Sequence, residues 1–279
     1  MSSISIVMIA NNASNFISEA IESVLIQSFP DFEFIIVNDS STDNTLSVLS
    51  SYNDNRIHLI ENEHDNFNLL ITGLKAATGK YLVLMDADSI CHIDRLKIQY
   101  AIMEEFPEIT VCSSWVSIYG EKTPVKFLRK DFCGLVENPL FQLLLDNYVY
   151  TSSTMTRISF IKQHNLLYEK FTYEEDYQFW TEASKSGAVF YIESQPLVYK
   201  RVDDSPNKTV NQEKQFQTAS GIKRGIIDFL CRKNEKHPAL QSVNNAFYEL
   251  LNDRLITEDE MVKTLYTLFM KNKDKLNLL

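Results

Sequence analysis

The chain has 279 residues, 44% of them hydrophobic and 23% charged, enough for one large α/β domain or for a domain with a helical appendage. Its 27 basic residues against 37 acidic ones give a formal net charge of −10, which excludes the basic footprint of a general nucleic-acid binder. Cys91, Cys112, Cys133 and Cys231 show no CxxC or zinc spacing and read as free thiols of a reducing cytoplasm. No basic stretch leads into an apolar core at the N-terminus, and no run of about 18 apolar residues occurs, so neither a signal peptide nor a membrane span is expected.

In chain order, residues 4–9 are a short β-branched apolar run, hence a buried strand. Ser14 or Asn15 caps a helix whose apolar positions Phe16, Ile17, Ala20, Ile21, Val24 and Leu25 fall at helical spacing, and Pro30 closes it. Residues 32–37 are a second strand, and Ser41-Thr42-Asp43 starts a second helix with Leu46, Leu49 and Tyr52 inward. Residues 57–60 are a third strand, and 66–78 a helix ended by Gly79 as a left-handed stop. Residues 81–85 are a fourth strand leading into Asp86; Asp94 opens a helix stopped by Pro107, and 110–118 is a fifth strand. This alternation predicts a mostly parallel sheet with right-handed crossovers, whose ligands bind beyond the carboxyl ends of the strands, where Asn11, Asp39 and Asp86 lie.

Beyond residue 120 the alternation fails. Residues 139–145 read as a helix, 148–155 as a strand, 158–164 and 176–185 as helices, the latter ended by Gly187, and 189–192 and 197–199 as two short strands. After Pro206 the chain is helical, with a capping box at Thr257 and Glu260 before Met261, Leu265, Leu268 and Phe269.

Three constellations carry chemistry. In Asp86-Ala87-Asp88, positions 86 and 88 of an extended chain face the same way, so two carboxylates meet at the end of a buried strand. A divalent cation bridging to phosphates would compensate them, the alternative being a solvated acidic turn. In Asn38-Asp39-Ser40-Ser41-Thr42-Asp43 the small polar residues read as helix capping, but Asp39 belongs to the strand end and suits a nucleobase or ribose. In Glu174-Glu175-Asp176-Tyr177-Gln178-Phe179-Trp180, acids at a helix start either complement its dipole or supply a general base beside water-excluding aromatics.

In this order the motifs resemble family 2 glycosyltransferases of the GT-A fold, over about residues 5–205. Ser5-Ile-Val-Met-Ile-Ala-Asn-Asn12 is similar to that family's opening strand, Gly79-Lys-Tyr-Leu-Val-Leu-Met-Asp-Ala-Asp88 to its metal-site strand, Glu175-Asp176-Tyr177-Gln-Phe-Trp180 to its ED-Y-x-x-W motif, and Tyr199-Lys-Arg201 to the segment closing the site. The resemblance implies a Rossmann-like mixed, mostly parallel sheet flanked by helices. It implies a catalytic domain over 1–205, with a nucleotide half (1–110) and an acceptor half (111–205), followed by a helical region, 206–279.

By that resemblance Asp39 binds the base, typically uracil, Asp86 contacts the ribose or the metal's water shell, and Asp88 ligates Mg or Mn. Ala10, Asn11 and Ala87 line the nucleotide-sugar, Ser152, Ser153 and Glu175 the acceptor side, and Asp176 is the base of an inverting transfer. The implied donor is a nucleoside diphosphate sugar, and the implied acceptor a glycan or lipid-linked glycan of surface polysaccharide synthesis. Ile9, Asn11, Ser89 and Asp203 depart from the family pattern, replacing a proline, an aromatic, a third acid and a histidine.

The rival readings are a catalytically degenerate sugar-nucleotide binding module and a nucleotidyltransferase, although Ala10-Asn-Asn-Ala13 is not the Gly-rich loop the latter needs. Lys263, Lys271, Lys273 and Lys275 either stay solvated or touch an acidic membrane face, which would make a cytoplasmic protein peripheral. The apolar face over 261–269 would alternatively join two copies of the chain.

Overall fold

The computed structural model describes residues 2–62, 69–120, 123–128, 132–166, 174–202 and 212–276. Strands β1 (Ile4–Ala10), β2 (Phe32–Asp39), β3 (Ile57–Asn62) and β4 (Tyr81–Asp86) alternate with helices α1 (Ile17–Leu25), α2 (Thr45–Ser50) and α3 (Leu69–Ala76). The Ile- and Val-rich strands β1, β2 and β4 are buried along nearly their whole length, as parallel strands covered on both faces must be. They pair in parallel in the order β3-β2-β1-β4, with Ala10 beside Asn38, Asp39 beside Asn62 and Ile9 beside Asp86. Four carboxyl ends therefore share one edge.

Next come β5 (Ser89–Cys91), α4 (Arg95–Glu105), β6 (Val111–Tyr119), β7 (Lys126–Leu128), β8 (Gly134–Leu135) and α5 (Pro139–Leu145). A 3-10 turn over Thr151–Ser153 leads into β9 (Met155–Arg157), followed by α6 (Ile158–Gln163), α7 (Glu175–Lys185) and β10 (Phe190–Arg201). The three C-terminal helices are α8 (Gln212–Lys233), α9 (Pro238–Asn252) and α10 (Glu258–Lys271). The sheet continues as β4-β9-β6-β10-β5, with β9 antiparallel to both its neighbours and β10 parallel to β6.

The chain divides into two compact units. The first comprises Met1–Val136, Val149–Lys170 and Ala188–Pro206 and contains the sheet; the second comprises Glu137–Tyr148, Phe171–Gly187 and Asn207–Leu279. In the second, Phe141 of α5 packs against Tyr266 and Phe269 of α10 at ring distances of 6.2 and 5.6 Å. Met261, Leu265 and Phe269 are buried inside this unit, so the face expected to join two copies is covered by the chain itself. The capping box at Thr257 and Glu260 forms as its sequence predicts.

Several local expectations change. The helix over 66–78 begins at Leu69 in the described residues, and its earlier part lies outside them. α1 starts at Ile17 with no side-chain cap, because the Ser14 amide donates to Asp43 instead. The strand expected over 148–155 is a 3-10 turn and a short β9, since the Ser153 and Thr154 hydroxyls bond back to the carbonyls of Tyr150 and Thr151. The two strands expected at 189–199 are one, β10, whose register shifts between Glu193 and Val198 and so accommodates Pro196.

Gly79 is required for close approach rather than for a left-handed stop. It does not take a positive φ, and a Cβ there would lie 2.7 Å from the Ser5 backbone N and 2.8 Å from its Oγ. Its amide donates to Ser5 Oγ, which donates to Glu33 at 2.6 Å. Gly79→Ala is expected to destabilise the protein by about 1–3 kcal/mol in urea denaturation, the range for overpacking a tight contact; an unchanged midpoint would refute this packing argument.

Candidate active site

The site is built on the shared edge of β2, β1 and β4. The loop after β1 is pinned to the loop after β2: the Asn11 amide donates to the Asp39 carbonyl at 2.6 Å, and Asn12 N donates to Ser41 Oγ at 3.1 Å. Asn12 sits at φ 48, which Asn tolerates well, and its Oδ1 accepts from Thr42 N (2.9 Å), Thr42 Oγ1 (3.2 Å) and Asp43 N (3.2 Å). Bonds donated by Thr45 and Ser14 hold the Asp43 carboxyl well below the usual carboxylate range. Residues 41–43 are thus scaffold, but not as the helix caps expected: α2 starts at Thr45 with Asn44 as N-cap and no side-chain cap bond, and of the three only Asp43 reaches the helix start, accepting from Thr45 N at 2.9 Å. Asp39 is different: among the described residues its carboxylate receives one long hydrogen bond, 3.4 Å from Asn62 Nδ2. The buried Asn62 Oδ1 has no partner among the described residues.

Asp86 ends β4, and Ala87 and Asp88 form the turn into β5. Asp86 pairs with Lys200 of β10, Nζ to Oδ2 at 3.0 Å. The Asp88 carboxyl is pushed above its ordinary range, first by burial and then by the charge of Asp86; Lys200 and the Ser89 hydroxyl, 3.4 Å from Asp88 Oδ1, counteract this. Ser89 is fully buried, so a third acid at this position would be a third carboxylate out of water.

Sequence reasoning missed several neighbours of this turn. Arg201 Nη2 pairs with Glu19 at 2.8 Å, and its guanidinium lies over the rings of Phe16 (4.4 Å) and Tyr119 (4.9 Å). Burial lifts the Tyr119 hydroxyl, Arg201 opposes this, and the charges of Glu19 and Asp88 raise it further. Ser117 Oγ, Tyr119 Oη and Arg201 Nε are buried with no hydrogen-bond partner among the described residues. The signal available was the Lys-Arg pair after Tyr199, placed in the closing segment; Tyr119 carried none. Asp203 lies outside the described residues.

Ser152 and Ser153 are both buried in the 3-10 turn. Ser153 Oγ bonds Ser113 Oγ (2.8 Å) and donates to the carbonyls of Ser114 (3.1 Å) and Tyr150 (2.8 Å), so this hydroxyl joins the turn to β6.

Glu175 and Asp176 belong to the second unit, as the exposed first residues of α7. Tyr177 donates its hydroxyl to the Leu143 carbonyl, and Trp180 is fully buried edge-on to Phe179 at 4.8 Å. The aromatic positions of the ED-Y-x-x-W pattern therefore anchor the helix and set its rotation, leaving the acids outward. Burial raises the carboxyl of the preceding Glu174, with Asp146 and Glu175 adding to it.

No group of three or more His, Cys, Asp or Glu converges on one point among the described residues. The pair Asp86 and Asp88 nevertheless fits a hard divalent cation of the Mg or Mn kind, which takes one or two carboxylates and completes its shell with water and substrate phosphates.

The family model "Glycosyl transferase family 2" matches residues 5–175. The chain belongs to glycosyl transferase family 2. An uncharacterised glycosyltransferase of Haemophilus influenzae is 31% identical over 252 residues, covering 82% of this chain and 75% of that protein. The Escherichia coli enzyme UDP-Glc:alpha-D-GlcNAc-diphosphoundecaprenol beta-1,3-glucosyltransferase WfgD is 34% identical over 102 residues, covering 36% of this chain and 40% of that enzyme. Among solved structures, Staphylococcus aureus TarS 1–349 in complex with UDP-GlcNAc superposes with a TM-score of 0.67 at 19% identity, covering 82% of this chain and 66% of that chain. This likeness confirms the GT-A fold expected from the sequence. Among the described residues, no helix of this glycosyltransferase is long and apolar enough to cross a membrane.

The raised Asp88 carboxyl gives a sign. Ionised Asp88 destabilises the ligand-free fold above its folded-state pKa, and this penalty is relieved as pH falls from that value toward 3.8, the ordinary one. Asp88→Asn is therefore expected to raise the unfolding temperature at pH 7, with the gain shrinking on acidification. Thermal unfolding across pH checks this, and a destabilised Asp88→Asn at pH 7 would contradict it.

Proposed function

We propose that this glycosyltransferase moves a sugar from a UDP-sugar to a hydroxyl of a glycan or lipid-linked glycan acceptor, with inversion at the anomeric carbon. The observation that carries the reading is the row of acids on adjacent strand ends: Asp39 on β2 and Asp86-Ala87-Asp88 after β4, flanking the Ala10-Asn11 end of β1. UDP as the donor nucleotide is supported by the complex of TarS with UDP-GlcNAc and by the UDP-Glc donor of WfgD, and a lipid-linked acceptor by the diphosphoundecaprenol-linked acceptor of WfgD.

In this reading Asp39 accepts the base N–H, which its sparsely bonded carboxylate is able to do. Asn11 holds the Asp39 main chain in place. Asp88 would ligate a Mg or Mn ion, with Asp86 contacting the ribose or the ion's water shell, and the ion when bound would supply positive charge to the departing diphosphate. Asp176 takes the proton of the acceptor hydroxyl. The acceptor oxygen bonds to the anomeric carbon as the bond from that carbon to the diphosphate oxygen breaks, and UDP leaves. Ser152, Ser153 and Glu175 belong to the acceptor side, Ser153 as wall rather than contact, since its hydroxyl is engaged with β6. The presence of both Asp88, the metal ligand of this reading, and the exposed Asp176, its base, favours an active enzyme over a binding module.

A panel of UDP-, GDP- and dTDP-sugars with Mn, scored by hydrolysis and binding, tests the donor; saturable binding of UDP alone among the free diphosphates is expected. Asp176→Asn is expected to lower transfer by about 10²–10⁴-fold, the range for a positioned base, with UDP affinity unchanged. Full transfer by Asp176→Asn would remove it as the base, and a wild type that binds UDP-sugars but transfers to no acceptor would favour the binding module.

A further inference from the structure

We propose that Lys200 is the resident counter-cation of the Asp86–Asp88 pair, held on Asp86 until a divalent cation binds at the turn and then passed to the donor diphosphate. The proposal rests on the donor reading above and adds a residue to it.

The position of Lys200 is set by a ladder. β10 runs antiparallel to β5 with Lys200 opposite Ser89, Tyr199 opposite Ile90 and Val198 opposite Cys91. β5 begins at the residue after Asp88, so this pairing carries the lysine to the acidic turn itself. Beyond the last pair, His92 N donates to the Leu197 carbonyl at 2.9 Å and extends the same contact. The ammonium then reaches Asp86 Oδ2 at 3.0 Å.

The local charges do not balance. Among the described residues, the two carboxylates of the turn are served by one ion pair, Lys200 Nζ to Asp86 Oδ2 at 3.0 Å. A divalent cation at this turn would over-fill that deficit and weaken the hold of Asp86 on Lys200. The diphosphate is then the nearest excess of negative charge, and a lysine suits the transfer: three donors on a flexible four-carbon stem. Its side chain is 45% exposed, so the ammonium is accessible to a ligand.

Lys200 thus opposes the bare cation and favours the diphosphate, two effects of opposite sign from one residue. A lysine that only braced the β5–β10 ladder would produce neither. Calorimetric titrations of wild type, Lys200→Met and Lys200→Arg with Mn²⁺ alone, with UDP at saturating Mn²⁺, and with uridine separate the cases. Lys200→Met is expected to bind Mn²⁺ alone several-fold more tightly and UDP about 10-fold more weakly, the size of one charge-assisted contact, with uridine unchanged. Lys200→Arg is expected to keep the UDP affinity. If Lys200→Met binds UDP as wild type does, or gains nothing for Mn²⁺ alone, the counter-cation role is overturned while the donor reading stands. If wild type itself fails to bind UDP with Mn²⁺, the donor reading falls and this proposal with it.

Discussion

A fully buried guanidinium holds together the strands on which the acidic turn rests. Arg95 of α4 donates from Nη2 to the carbonyls of Leu84 (3.1 Å) and Thr154 (3.2 Å), and from Nε to Gln99 Oε1 (3.1 Å). Gln99 Nε2 in turn donates to the carbonyls of Cys112 (3.0 Å) and Ser153 (2.8 Å). One turn of helix thereby satisfies main-chain groups of β4, β6 and the 3-10 turn. This matters because β9 pairs with β4 only at Tyr81, Leu82 and Val83, so Leu84 lies past the end of that ladder. Removing Arg95 would leave buried carbonyls unpaired two residues before Asp86.

The same sheet treats its carboxylates in opposite ways at its two ends. At the amino end, burial would raise the Glu33 carboxyl, but bonds from Ser5 and Thr78, with the charge of His58, outweigh it and hold the carboxyl low. At the carboxyl end, among the described residues, Asp39 has one long contact, and Asp86 and Asp88 share one lysine. Glu33 is satisfied by the fold and is structural. The acids at the other end are left short of donors, which is the condition for binding something else.

The first 110 residues were largely legible because short apolar runs and helical spacing alternate there without exception. Strands β1 to β4, and Asn11, Asp39 and Asp86 at their carboxyl ends, can be read from the sequence pattern alone. The second half was not, for reasons found in particular residues. β9 is three residues long, too short to show a period, and Ser153 and Thr154 turn their hydroxyls back on the chain instead of extending it. Pro196 read as a break between two strands because the shift in β10 register that absorbs it leaves no local trace. Gly79 looked like a helix stop, whereas its cause lies 74 residues upstream at Ser5. Lys200 and Arg201 matched a motif segment, but their partners Asp86 and Glu19 are set by pairing across the whole domain.

The distance along the chain between Asp86 and Lys200 has a consequence for how the domain assembles. β1 to β4 and their parallel pairings lie within the first 86 residues, so the nucleotide edge can form while the rest is still being made. The ion pair at the acidic turn closes 114 residues and requires β10, the last strand. Contacts of such separation come late, because the loop-closure entropy must be overcome before they add stability. During synthesis the two aspartates therefore stand without their cation until the final strand docks beside β5. The acidic turn thus reaches its finished electrostatics only once β10 has docked.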